Sequence, residues 1–227
     1  MVVRVAWLLL LPALVGAEST ALERDVRALL KPQSLGGIAL AFGAAGLAHG
    51  LDDEFSGHID SELAAPLLDF GNFYFGSKYS VGSTAGLWFA VRAAHRGEIR
   101  AASGEVLRAL ILAGAMVTPL KIAAGRQRPD GSNNFSFPSG HSANAFAIST
   151  VLSRRYGRRV GVPLFALAGF VPVARIHDRH HFFSDVVAGS VLGVVAGLAV
   201  DRGGSADMAF RPVYTKGLWV LQASWRY

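Results

Sequence analysis

Cysteine is absent from all 227 residues, so no disulfide and no thiolate-held metal can enter an account of this chain. Charge is also sparse: Asp, Glu, Lys and Arg make up 17% of the sequence against 52% hydrophobic residues. Mean hydropathy is +0.36, greasy for a soluble protein and mild for a polytopic membrane protein. No Pro- or Ser-rich linker, internal repeat or low-complexity tract divides the chain, which predicts one domain. Aromatic and basic residues do not interleave as a base-stacking surface requires, so the net charge of +6 is not read as nucleic-acid binding. Its arginines instead gather in two short turns, Arg92, Arg96 and Arg100, then Arg154, Arg155, Arg158 and Arg159, and around the residues discussed below.

The first residues carry Arg4, an apolar run from Val5 to Val15, and the small-residue step Val15-Gly16-Ala17 ahead of Glu18. That order of charged, apolar and small regions predicts an export signal over 1–17, with an uncleaved first anchor as the alternative. Beyond it, charge-free stretches at 32–51, 79–91, 109–120, 160–174 and 186–200 are rich in Gly, Ala and Leu. Polar turns separate them, and the pattern predicts an all-α helical bundle. Gly189, Gly193 and Gly197 recur every four residues, a smooth strip along one helix face that lets a neighbour approach closely. Residues 52–78 mix acids with an aromatic cluster at Phe70, Phe73, Tyr74 and Phe75, read as an amphipathic surface helix plus loop or an interfacial segment. The end of the chain alternates weakly like a strand. It is expected to be a tail, 201–227, docked on the body.

Membrane placement is balanced between two readings. Most charge-free runs are 12 to 15 residues, shorter than the roughly 20 needed to cross a bilayer. The Arg-rich turns nonetheless resemble positive-inside loops. If those turns are cytoplasmic, the helix at 35–51 starts inside, whereas a cleaved signal leaves Glu18 outside. A membrane-associated bundle is favoured over a periplasmic globule.

Chemistry concentrates at one end. If the last four helices run up and down through short turns, the helix ends near 121, 140, 175 and 181 share a rim. That rim carries Lys121, Arg126, Arg128, Ser139, Gly140, His141, Arg175, His180, His181 and Asp185, and the opposite rim is expected to hold only scattered Arg. Lys121, Arg128 and Arg175 suit a phosphoryl group, which guanidinium forks and an ammonium neutralise. Ser139 and the N–H groups of Gly140 and His141 lie at a helix start, where unpaired donors favour an anion. His181 and Asp185, four residues apart, are expected on one helix face, where the carboxylate holds one ring nitrogen and leaves the other to attack. His141 arrives from a different helix, placed to protonate a leaving oxygen. Singly, each residue has a structural reading: Arg128 as a loop charge, Ser139 as a helix cap, His141 as a helix-end histidine. His177 and His181 also share the spacing of a metal pair, which three nearby cations disfavour.

"KIAAGRQRP" (Lys121 to Pro129), "PSGH" (Pro138 to His141) and "ARIHDRHHFFSD" (Ala174 to Asp185) resemble, in order and spacing, the three-part signature of the type 2 phosphatidic acid phosphatase and vanadium haloperoxidase superfamily. The resemblance spans about 105–200 and implies an all-α core with a metal-free phosphatase site at one end of the bundle. By position it implies His181 as a nucleophile forming a phosphohistidine, Asp185 as its orienter and His141 as general acid. Lys121, Arg128, Ser139, Gly140 and Arg175 are implied as the phosphate cradle, with no cofactor. Ala174 stands where the pattern has Ser, and His180 falls outside it. The expected organisation is N-terminal helices and an interfacial segment over 18–104, a phosphatase core over 105–200, and the tail, of which the resemblance specifies only the core. The implied activity is hydrolysis, outside the cytoplasm, of a phosphomonoester or diphosphate. The substrate is a lipid phosphate such as undecaprenyl diphosphate or phosphatidate if the site opens at a membrane. A soluble nonspecific acid phosphatase is the alternative, ahead of a vanadium haloperoxidase or an inactive scaffold.

Overall fold

The computed structural model describes residues 17–55, 97–200, 208–215 and 218–225. The predicted export signal up to residue 16, the aromatic cluster at 70–75, the run at 79–91, and Arg92 and Arg96 lie outside the described residues. Seven helices are present among them: α1 (Ala17–Leu29), α2 (Pro32–His49), α3 (Asp52–Phe55), α4 (Gly97–Ala124), α5 (Gly140–Tyr156), α6 (Arg158–His177) and α7 (Phe183–Ala199). The boundaries follow local chemistry. Pro32 opens α2 at a position where a missing N–H costs nothing. Ser139 caps α5. Gly157, with φ of 78°, supplies the left-handed step that separates α5 from α6.

Helix α5 packs against α4, α6 and α7, and α7 in turn packs against α2 and α4. Between them lies a core of Leu107, Leu110, Leu112, Ala113 and Val117 from α4, Ala143, Ala147 and Val151 from α5, and Leu192 and Ala196 from α7. Its alanines keep the helices close, and the glycine strip brings α7 closer still. A Cβ on Gly189 would lie 2.3 Å from the Ser139 carbonyl oxygen, and one on Gly193 would lie 2.2 Å from that of Ala143.

Helix α4 runs 28 residues, about 42 Å at ~1.5 Å per residue, and so exceeds the span expected from its charge-free stretch. Counting uncharged residues began that stretch too late, because Glu105 and Arg108 are buried inside the helix rather than lying before its start. Glu105 receives Arg155 Nη1 at 2.7 Å, and Arg108 Nε donates to Asp25 Oδ2 at 2.7 Å. The rim away from Lys121, His141 and Arg175 therefore holds buried ion pairs, not only scattered Arg. Arg154 belongs to it as well, donating to the carbonyls of Gly197, Leu198 and Val200 at 2.9, 3.1 and 3.1 Å. It thus caps the C-terminus of α7, where orphan carbonyls and the helix dipole both favour a cation. Arg154→Ala is expected to lower stability by about 1–3 kcal/mol without changing chemistry at the other rim, as chemical denaturation would read directly.

Helices α4 and α6 are long and apolar enough to cross a membrane by length and composition. Large apolar side chains also face outward: Leu35, Leu40, Phe42 and Leu47 on α2, and Val162, Leu167 and Phe170 on α6. At the C-terminus, strands Met208–Thr215 and Leu218–Trp225 (β1 and β2) pair antiparallel with Thr215 opposite Leu218. The expected tail is therefore a hairpin, whose two-residue connection fits strand pairing. The helical architecture is otherwise as the sequence predicts.

Candidate active site

Lys121 in the last turn of α4, Gly140 and His141 in the first turn of α5, Arg175 in the last turn of α6 and Asp185 in the first turn of α7 all reach one end of the bundle. Two connections finish it. The α4–α5 strap carries Arg126 and Arg128 and folds on itself through Arg128 N to Asn133 O (3.0 Å) and Ser136 N to Arg126 O (2.9 Å). The α6–α7 turn curls over the end of α6, where the N–H groups of His180 and His181 both donate to the Arg175 carbonyl. Asp130 N donates to Arg179 O at 2.9 Å and Arg128 Nη1 to His180 O at 3.0 Å, which ties strap to turn.

His181 therefore sits in the turn, ahead of α7, and not on a shared helix face with Asp185. Asp185 instead occupies the third position of α7 and turns back, accepting from Phe182 N at 2.9 Å. The pairing survives the change: His181 Nδ1 lies 3.6 Å from Asp185 Oδ2, with both side chains buried. Ser136 Oγ also donates to Asp185 Oδ2, and Arg126 Nη1 donates to Oδ1 at 2.8 Å.

Ser139 is fully buried, and its hydroxyl accepts from Ser142 N (3.4 Å) and Ser142 Oγ (3.1 Å). Those two bonds leave its own proton for another acceptor. A Cβ on Gly140 would meet Lys121 Cε at 4.0 Å, so the lysine stem passes directly over the α5 N-terminus. Lys121 Nζ donates to the carbonyls of Phe135 (2.7 Å) and Ser136 (3.2 Å), and Arg128 Nε to Asn133 Oδ1 (3.0 Å). Arg175 Nη1 lies 3.6 Å from Asp178 Oδ2.

The cations act on both imidazoles. Burial first, then the charges of Arg175, Arg128 and Lys121 together with the His181 ring, push His141 down to about 2. Burial likewise leads at His181, with Lys121 and Arg128 adding to it and Asp185 opposing, for a value of about 3. Both rings are neutral at pH 7, so His181 has a lone pair to offer. In an unfolded chain they would titrate near 6.5. The unfolded state thus takes up more protons between pH 6.5 and 3, and their contribution to stability falls as pH drops through that window.

A bound tetrahedral anion would offset the cationic part of that depression, though not the larger part due to burial, and so raise the proton affinity of His141. Sulfate, which does not titrate here itself, is expected to bind with net proton uptake that grows as pH falls below about 6.5. Calorimetry in buffers of differing ionisation enthalpy measures that uptake, and zero uptake would count against coupling of His141 to the anion.

Among the described residues, no group of three or more metal-ligating side chains converges. His177 Nδ1 faces Asp178 Oδ1 at 3.3 Å instead of pairing with His181.

Residues 103–203 match the model of the PAP2 superfamily. A lipid A 1-phosphatase from Porphyromonas gingivalis is 40% identical over 39% of this chain and 20% of its own length. A PA-phosphatase related-family protein from Dictyostelium discoideum is 35% identical over 36% of this chain and 40% of its own. The chain thus spans a fifth and two-fifths of the lengths of these curated relatives. Among solved structures, Aquifex aeolicus LpxE is similar in fold, with a TM-score of 0.51 over 67% of this chain and 90% of that one, at 23% identity.

Arg126, Ser136 and Asp52 are at this rim too, and sequence reasoning gave none of them a role. Arg126 left a trace, because "RQRP" carries a second arginine two residues before the motif arginine. Arg128 turns to the strap and the His180 carbonyl, and Arg126 turns to Asp185.

Proposed function

We propose that the chain is a phosphatase acting on a lipid phosphate through a phosphohistidine intermediate. The observation that carries this reading is a neutral, buried His181 beside Asp185 at a rim where Lys121, Arg128 and Arg175 all act on the facing His141. His181 Nε2 attacks phosphorus in line while Nδ1 faces the carboxylate. As the bond from phosphorus to the leaving oxygen breaks, His141, protonated once the anion is bound, gives that oxygen its proton. Water then attacks the phosphohistidine, His141 takes the water's proton, and free phosphate and His181 are regenerated. Lys121, Arg128, Arg175, the Ser139 hydroxyl and the N–H groups at the α5 start stabilise the charge on the equatorial oxygens.

Two things support a lipid substrate: the membrane-length helices α4 and α6, with outward apolar side chains on α6 and on α2, and a relative named for lipid A. On this reading the protein is membrane-embedded, with its rim at the outer face. The test is phosphate release by detergent-purified protein offered polyprenyl diphosphate, phosphatidate and soluble aryl phosphates. A kcat/KM at least 10-fold higher on the lipids is expected. Preference for aryl phosphates, with recovery of the chain in a detergent-free osmotic-shock fraction, would replace this reading with a soluble acid phosphatase.

A further inference from the structure

We propose that Asp52, from the short helix α3, is a positioning residue for His181, acting through Arg126 and Asp185. Its kinetic consequence rests on the phosphatase reading above; its geometry does not. Asp52 lies outside the stretch matching the superfamily, 132 residues from Ser184, yet its side chain is buried and fully engaged at the rim. Oδ1 accepts from Ser184 N at 2.8 Å, satisfying one of the orphan N–H groups of the first turn of α7. Oδ2 accepts from Ser184 Oγ (2.8 Å) and from Arg126 Nη2 (2.8 Å), and His49 Nδ1 lies 2.7 Å away. Arg126 thus forks between two carboxylates, Nη2 on Asp52 and Nη1 on Asp185 and Ser184 Oγ, with its guanidinium 4.0 Å above the Phe182 ring.

Two consequences follow from that fork. Geometrically, Asp185 has Oδ1 fixed by Arg126 and Oδ2 fixed by Ser136 and Phe182 N, so the carboxylate cannot rotate away from the His181 ring. Asp52 in turn prevents Arg126 from swinging, and pins the α7 N-terminus on which Asp185 sits. Electrostatically, Arg126 alone would neutralise Asp185. The second carboxylate returns the Asp52–Arg126–Asp185 group to a net negative charge, which favours the cationic imidazole formed on attack.

The experiment is a double-mutant cycle of Asp52→Asn, Arg126→Gln and the pair, reading kcat, KM and Tm on a lipid phosphate, together with ¹⁵N spectra of the His181 ring. Asn keeps the shape and one acceptor oxygen. The expected results are a kcat reduced roughly 10-fold or more with KM within about 2-fold, a pair no slower than Arg126→Gln alone, and a larger Nε2–H tautomer fraction in Asp52→Asn. Additive losses, an unchanged kcat, or a lowered Tm with an unchanged ring tautomer would overturn the proposal. If wild-type protein releases no phosphate, or His181→Ala still does, the phosphatase reading falls. The ring spectra then still decide whether Asp52 sets the imidazole.

Discussion

His181→Ala is expected to lower phosphate release by on the order of 10⁴-fold or more, with substrate binding little changed. The magnitude follows from the kind of group removed: a nucleophile contributes to the transition state and hardly at all to ground-state binding, so its loss falls on kcat. The proposed cradle of Lys121, Arg128 and Arg175 is untouched by the change, so sulfate affinity serves as the control for an intact rim. His181 is only 2% exposed, and His181→Gln fills most of the same volume, which separates lost chemistry from a collapsed turn. Acid-stable and acid-labile phosphoenzyme fractions, quenched within the first turnover, measure the intermediate directly. Residual activity above a hundredth of wild type in both variants would remove His181 from the nucleophile's role.

The second large effect is on folding. Gly193→Ala is expected to destabilise the protein by about 3 kcal/mol, beyond the middle of the range for overpacking. The new Cβ would lie 2.2 Å from the Ala143 carbonyl oxygen and 2.9 Å from its Cα and carbonyl carbon. Those are backbone atoms of a packed helix, and no rotamer change can move them aside. Helix α7 must instead slide off α5, opening the core that Leu192 and Ala196 share with Ala143 and Ala147. Against a total stability of roughly 5–15 kcal/mol, such a loss corresponds to a fall in Tm of roughly 10 °C. Gly43→Ala in α2 is the matched control. Its Cβ would meet nothing within 4 Å, and the substitution should be neutral or stabilising by about 0.5–1 kcal/mol. Equal losses at both positions would show that close approach is not what requires glycine at 193.

Sulfate-linked proton uptake and the Gly193 effect probe opposite kinds of inference. The glycine strip was legible before any coordinates, because three small residues at four-residue spacing mark one helix face whatever lies across from it. The same holds for Ser139: a serine before Gly-His-Ser-Ala in a helical pattern is a cap by local chemistry, and it caps α5. What was missed was local as well as distant. His181 and Asp185 have helical spacing, yet the turn after α6 extends through residue 181, and the next helix starts only at Phe183, after the cap residue Phe182. Periodicity alone cannot say where a chain leaves one helix and enters another.

The amino-acid sequence by itself determined an all-α bundle, the glycine strip of its last helix, and that the motif residues fall at helix ends on one rim, since each depends on near-neighbour propensity and on short connections. Only the tertiary structure decided that Arg126 grips Asp185, that Asp52 grips Arg126 across 74 residues of chain, and that Glu105 and Arg108 are buried partners rather than helix-ending charges. An ion pair depends on distances of about 3 Å between side chains, and nothing along the chain encodes such a distance until packing has set the helices against one another.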